Sequence, residues 1–239
     1  MAELTVSEVT DTVTKNSLKE VEKKVEEQVE EISENMEETL EDNVSLSNKE
    51  TDGENVNENP NKKVWCEDPL IFTIDNYLSE EECEHFINVS KNKLQRAYVS
   101  GQKTGSVSRG RTGLNYWLGH HTSSITTDVG ERISKEVGLP LKNAEQYQVI
   151  YYGKTQEYRR HYDSWEHDYS EKTMRCIKYG GARLMTALCY LNDVEEGGGT
   201  NFPLLNLTVE AKKGRMVCFE NTYRGGHIKH KLSEHAGTP

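Results

Sequence analysis

The 239-residue chain carries 29 Lys and Arg against 40 Asp and Glu, a net charge of −11, with only 8% aromatic residues. The imbalance is local. Residues 1–60 hold 18 acidic and five basic side chains and no Phe, Trp or Tyr, whereas the remainder is near neutral at +2 and holds all 19 aromatics. A segment so poor in apolar surface cannot offset the entropy of its own ordering. Residues 1–63 therefore read as an acidic low-complexity extension and 64–239 as one folded domain, with the boundary expected between Thr51 and Lys63.

The opening residues lack the basic start and apolar run of a secretory signal, and nowhere do eighteen apolar residues follow one another, so no membrane insertion is expected. Cys66, Cys83, Cys176, Cys189 and Cys218 are odd in number and contain no C-x-x-C pair. That pattern excludes a disulfide scaffold or zinc ribbon and fits a reducing compartment, which gives a cytoplasmic expectation. Nucleic acid is excluded as a partner, since the domain is near neutral and the extension would repel phosphates.

In the extension, Leu18, Val21, Val25, Val29, Ile32, Met36 and Leu40 recur at helical spacing. They mark a partly helical acidic segment, a candidate surface for a partner protein. The domain opens with a strand at Leu70 to Ile74. Ser79 followed by three Glu is a capping box that starts a helix through Leu94. Ile125, Val129, Ile133 and Val137 place a second helix over 123–137, ended by Gly138 and Pro140. After Glu145 the texture changes to short β-type runs, at 148–152, 183–191 and 215–219, separated by glycine. Helices first and strands afterwards argue for an α+β domain with an antiparallel sheet or double-sheet barrel. Gly197-Gly198-Gly199 is followed by no Gly-Lys-Ser/Thr and reads as a turn rather than a phosphate loop.

The chemistry concentrates in His161-Tyr162-Asp163. Two residues apart on an extended segment, His161 and Asp163 point to the same side and can share one ion. A third ligand must come from a distant strand, and His227, His230 and His235 are available. Two imidazoles and a carboxylate on one face of an octahedron leave three positions open, the donor set of non-haem iron(II) oxygenases.

Residues 148–153 (Gln-Val-Ile-Tyr-Tyr-Gly), 156–163 (Gln-Glu-Tyr-Arg-Arg-His-Tyr-Asp), 183–203, with Tyr190-Leu191-Asn192-Asp193 leading to Thr200-Asn201-Phe202-Pro203, and 233–239 (Ser-Glu-His-Ala-Gly-Thr-Pro) closely resemble the prolyl 4-hydroxylase family of 2-oxoglutarate- and iron(II)-dependent dioxygenases. Order and spacing agree, from about Ile71 to Pro239. The resemblance implies a double-stranded β-helix, or jelly-roll, core with N-terminal supporting helices, and iron held by His161, Asp163 and His235. It selects His235 because that residue begins the H-A-G-x-P element; His227 and His230 read as solvated loop residues. Tyr152 falls at the position that contacts 2-oxoglutarate, and Thr186 and Tyr190 could add hydroxyl donors. Tyr158 falls where an aromatic lies near the substrate proline. Arg111 belongs to an Arg-Thr element assigned to the substrate side. The implied reaction hydroxylates peptidyl proline in a proline-containing peptide or protein, yields succinate and CO2 and uses L-ascorbate to keep iron reduced. Family members continue past H-A-G-x-P with a strand bearing a Lys that pairs with the distal carboxylate of 2-oxoglutarate, so a domain lacking that last strand is expected here. Two alternatives stay open: a related oxygenase acting on another peptide or amino acid, and a catalytically silent interaction protein.

Overall fold

The computed structural model describes residues 59–100, 105–165, 168–178 and 180–239. The acidic helix expected around 18–40 lies outside them. Among the described residues, sixteen strands and α-helices carry the fold. In chain order they are β1 (Lys62–Glu67), β2 (Leu70–Ile74), α1 (Glu80–Ser90), β3 (Gln95–Arg96), β4 (Val99–Ser100), β5 (Gly105–Ser106), β6 (Leu114–Leu118) and α2 (Ser124–Val137). There follow β7 (Tyr147–Tyr151), β8 (Tyr158–His161), α3 (Glu171–Ile177), β9 (Met185–Cys189), β10 (Thr200–Phe202), β11 (Leu207–Val209), β12 (Met216–Glu220) and β13 (His235–Gly237). Two four-stranded antiparallel sheets, β1-β2-β12-β9 and β11-β10-β13-β8, are joined by a three-stranded sheet β3-β6-β7 and a small β4-β5 hairpin.

The first sheet is covered on both faces, which explains why its central strands read as apolar runs without alternation. Ile71, Val217 and Phe219 face Phe202 and Val209 of the second sheet and form the core between the layers. Phe72, Ile74, Met216 and Cys218, one residue out of phase, pack instead with Ile133 and Val137 of α2. A third cluster joins Cys83 and Phe86 of α1 and Val129 of α2 to Leu118 and Val149 of the three-stranded sheet. The supporting helices thus back the sheets and leave the second sheet to carry the chemistry.

Both expected helices form with their sequence-specified caps. Ser79 and Glu82 exchange hydrogen bonds of 3.2 and 2.8 Å at the start of α1, and Gly138 ends α2 in the left-handed region at φ 69°. Helix α1 stops at Ser90 rather than Leu94. Lys91, Asn92 and Lys93 are exposed and add nothing to the buried face, and the chain turns there toward β3. Strand β1 and helix α3 are among the elements that the sequence does not announce. Strand β1 is an almost wholly exposed edge strand, so no alternation betrays it, and it carries the folded chain back to Lys62. Helix α3 has two turns and buries only Thr173, too little for an apolar stripe.

Candidate metal centre

Strands β8 and β13 are neighbours, and their register sets His161 directly opposite His235. Side chains of a cross-strand pair emerge on one face within contact distance, and the two imidazoles lie with ring centroids 4.3 Å apart. Asp163, two residues past His161, points to the same side. Among the described residues, these three form the one group of His, Cys, Asp or Glu side chains able to share an ion, with ligand atoms all within 4.8 Å.

The histidines are held in one orientation by their backbones. Nδ1 of His161 lies 2.8 Å from the carbonyl of Arg159, and Nδ1 of His235 lies 3.0 Å from the carbonyl of Ser233. A carbonyl accepts only, so each Nδ1 carries the proton and each Nε2 presents a lone pair. Both Nε2 atoms face Asp163, at 3.6 and 3.8 Å from its carboxylate oxygens. His235 is buried against the rings of Phe219 and Phe202. Burial pushes its pKa below the ordinary value, against the opposing pull of the Asp163 carboxylate. For Asp163 burial acts to raise the pKa, but the neighbouring His161, His235 and Arg183 outweigh it and hold the group well below the usual carboxylate range. Two neutral imidazoles and one carboxylate, all aimed inward, fit a divalent iron ion.

Around the carboxylate the partners are specific. Oδ2 of Asp163 accepts from the Thr186 hydroxyl at 2.7 Å. Arg183 lies 3.2 Å from Oδ1 through Nη1, while its Nε and Nη2 donate to Glu145 at 2.8 and 2.6 Å. Thr186 is thus committed to the ligand carboxylate rather than standing free as a donor for a cosubstrate. Tyr190 likewise differs from the expectation. Its hydroxyl meets Thr200 at 2.8 Å and the Val209 carbonyl at 3.3 Å inside the core between the sheets. Tyr190 packs and bonds within the core because it continues the inward face of β9 beyond Thr186 and Leu188, two residues at a time.

Tyr158 stacks on His161 with centroids 3.5 Å apart and planes at 19°, and the Arg111 guanidinium lies 4.7 Å above the other face of Tyr158. Arg111 is buried, and its fork donates to the Tyr98 carbonyl at 2.9 Å and to Gln148 at 2.6 Å. Those partners commit it as a brace for Tyr158, where the sequence suggested a direct substrate contact. Tyr152 lies beside the same guanidinium, its hydroxyl pKa raised by burial and partly offset by Arg111. Its ring fills the space at Gly113: a Cβ there would come within 2.6 Å of it.

Of the two loop histidines, His227 is exposed as expected, but His230 is 2% exposed. Its Nδ1 accepts from the Leu232 amide, capping the short 3-10 turn Lys231–Ser233 that leads into His235, and its ring lies 4.2 Å from that of Tyr223. The charged flanks Lys229 and Lys231 suggested solvent, yet the turn directs the residue between them inward. Arg183 and Asn221 went unnoticed in the sequence. For Arg183 a signal existed, a charge heading an otherwise apolar strand run.

The family model described as the 2OG-Fe(II) oxygenase superfamily matches residues 147–239, the segment that supplies all three inward-facing groups. The similarity to that superfamily therefore covers the part of the chain that carries the candidate site. The chain is 35% identical over 176 residues to "Probable prolyl 4-hydroxylase 3" of Arabidopsis thaliana, covering 71% of this chain and 59% of the relative. It is 34% identical over 173 residues to "Prolyl 4-hydroxylase subunit alpha-2" of Gallus gallus, covering 72% and 32% respectively. It spans about half the length of the plant relatives it matches. Its fold is similar to that of a viral collagen prolyl hydroxylase from Paramecium Bursaria Chlorella virus-1, solved as a 2OG complex, with a TM-score of 0.55, 24% identity and 71% of this chain and 87% of that one covered. No helix among the described residues is long and apolar enough to cross a membrane.

Proposed function

We propose that this chain is an iron(II)- and 2-oxoglutarate-dependent dioxygenase that hydroxylates proline in a peptide, with His161, Asp163 and His235 as the iron ligands. The observation that carries the proposal is the convergence of the three ligand atoms within 4.8 Å, with each imidazole tautomer fixed by a backbone carbonyl. The relatives' printed names as prolyl 4-hydroxylases support the substrate class.

When bound, iron with 2-oxoglutarate supplies the oxidising chemistry, giving succinate and CO2 as coproducts. The protein's part is positional. His161 and His235 offer lone pairs without a proton step, and Asp163 brings the one negative charge. Thr186 holds the carboxylate plane from β9. Tyr158, its ring faces covered by His161 and Arg111, leaves its edge as the surface we assign to the substrate proline, and Tyr152 is the side chain we assign to the cosubstrate. Confining reactants between such fixed walls lowers the entropic part of the barrier.

L-ascorbate is the reductant this reading entails. Five unpaired thiols agree with a reducing compartment, and the acidic segment 1–57 is proposed as a partner-binding extension of the catalytic domain that begins ahead of β1. The test is iron-dependent consumption of 2-oxoglutarate coupled to gain of one oxygen atom on proline-rich peptides. Wild type is expected to show both, and His161→Ala and Asp163→Ala neither. Turnover of 2-oxoglutarate that never marks proline would instead favour a related oxygenase with another substrate, and turnover unaffected by either substitution would sink the site assignment.

A further inference from the structure

Asn221 touches none of the three inward-facing groups, yet it stands between the two arms that carry them. It follows the last residue of β12, is 0% exposed, and is anchored to the neighbouring strand segment by its own amide, which donates to the Leu184 carbonyl at 2.7 Å. Its side-chain Nδ2 lies 2.8 Å from the Thr186 hydroxyl, which in turn lies 2.7 Å from Oδ2 of Asp163. The direction of this chain is fixed by proton count. An ionised carboxylate only accepts, so the single hydrogen of the Thr186 hydroxyl goes to Asp163, and Thr186 must receive from a donor. That requirement selects the amide orientation with Nδ2 toward Thr186. It leaves Oδ1 of Asn221 buried without a hydrogen-bond partner among the described groups, an arrangement that an apolar residue would avoid.

The other arm leaves from the same residue. The Asn221 carbonyl accepts from the His230 amide at 2.9 Å, and the Ser233 hydroxyl, 3.4 Å from that carbonyl, gives its hydrogen to the nearer His230 carbonyl at 2.8 Å. These bonds pin the turn Lys231–Ser233, and the Ser233 carbonyl at its end is the acceptor that orients Nδ1 of His235. One buried residue is therefore wired through its side chain to the carboxylate ligand and through its backbone to the distal histidine.

We infer that Asn221 is a positioning residue that sets Asp163 and His235 relative to one another and thereby raises the metal affinity of the site. The inference rests on the reading of the triad as an iron site. Its physical basis is competition for the carboxylate. Arg183 lies 3.2 Å from Oδ1, so an Asp163 released from Thr186 on Oδ2 is free to turn toward the guanidinium and away from the imidazoles. Outer hydrogen-bond partners of ligands act in this way on metal sites generally.

The experiment measures Co(II) binding to chelator-treated protein by calorimetry and visible absorption, alongside melting temperature, for wild type, Asn221→Ala, Thr186→Val, Thr186→Ser, the Asn221→Ala/Thr186→Val double variant and His161→Ala. Asn221→Ala and Thr186→Val are each expected to weaken Co(II) binding by about 10- to 100-fold. Thr186→Ser is expected to restore affinity to within a few-fold, and the double variant to lose less than the product of the two single losses. Should Asn221→Ala fail to fold, Thr186→Val against Thr186→Ser reads the same chain with Asn221 intact. Wild-type affinity in Asn221→Ala or Thr186→Val, with binding abolished in His161→Ala, overturns the inference while leaving the triad standing. Co(II) uptake that His161→Ala leaves unchanged overturns the triad reading and the inference with it.

Discussion

His161 and His235 lie directly opposite each other on β8 and β13, their rings 4.3 Å apart, although 74 positions separate them in the chain. The pair is therefore a product of strand register. A site assembled by the fold couples ion binding to stability, because the unfolded chain does not hold the three ligands together. At a hundredfold excess over its dissociation constant, a divalent ion should stabilise the fold by about 2.7 kcal/mol, roughly 5–10 °C in melting temperature for a domain of this size. Differential scanning fluorimetry with and without Mn(II) checks this. Wild type should show the shift, and His161→Ala, Asp163→Ala and His235→Ala should each lose most of it.

The Tyr152 ring depends on the absence of a side chain at Gly113. A methyl group there would approach the ring to 2.6 Å and the Tyr151 carbonyl to 2.8 Å, and the carbonyl cannot move without disturbing the β6-β7 pairing. Gly113→Ala should therefore cost about 1–3 kcal/mol of stability through overpacking and push Tyr152 out of place. With Tyr152 serving the cosubstrate, KM for 2-oxoglutarate should rise several-fold while metal affinity holds. An unchanged KM would remove Tyr152 from that role.

Arg111 makes two hydrogen bonds and one stacking contact with a single planar fork, to Tyr98, Gln148 and Tyr158. An ammonium group cannot reproduce that geometry. Arg111→Lys should lower stability by roughly 2 kcal/mol, the scale of one lost hydrogen bond to a charged group. It should also loosen Tyr158, so that KM for the peptide rises more than kcat falls. A chemical denaturation curve and peptide kinetics measured on the same preparation separate the two effects. Equal stability in Arg111→Lys would mean that the buried fork is not a brace.

The parts of this site that could be read in the sequence are those fixed by short-range geometry. His161 and Asp163 share a side because they are two residues apart on an extended chain, and Ser79 with Glu82 specifies a helix start within four residues. His235 could not be chosen over His227 and His230 by chemistry, because register alone brings it opposite His161. Thr186 and Arg111 were recognised as polar groups near the site, but their partners, Asp163 and Gln148, lie 23 and 37 positions away and were invisible. His230 was misread because its neighbours are lysines, and the inward turn that buries it depends on Asn221 and Leu232. Strand β1 was missed since an exposed edge strand needs no apolar alternation. What the sequence conceals is who meets whom across the sheets.

At the far end of the central strand pair, Asp75 follows β2 and Arg215 precedes β12, and the two clamp the β2-β12 ladder where Ile74 pairs with Met216. Arg215 reaches Oδ1 at 2.6 Å and Oδ2 at 3.2 Å, and Lys212 adds a third contact at 2.9 Å. The hydrogen bond from Arg215, aided by Lys212 and opposed by partial burial, lowers the Asp75 pKa from 3.8 to about 2. A depressed carboxylate pKa means that the unfolded chain binds the proton more readily, so the stabilisation is complete above the unfolded value and is lost as pH falls through the folded one. Asp75→Asn should accordingly destabilise the protein by about 1 kcal/mol at pH 7, a value reduced for the solvent screening of a partly exposed pair. The difference from wild type should shrink as pH falls from about 4 to about 2. Urea midpoints taken across that range decide the matter: a gap between wild type and Asp75→Asn that persists undiminished at pH 2 would show that the variant acts by packing rather than by charge.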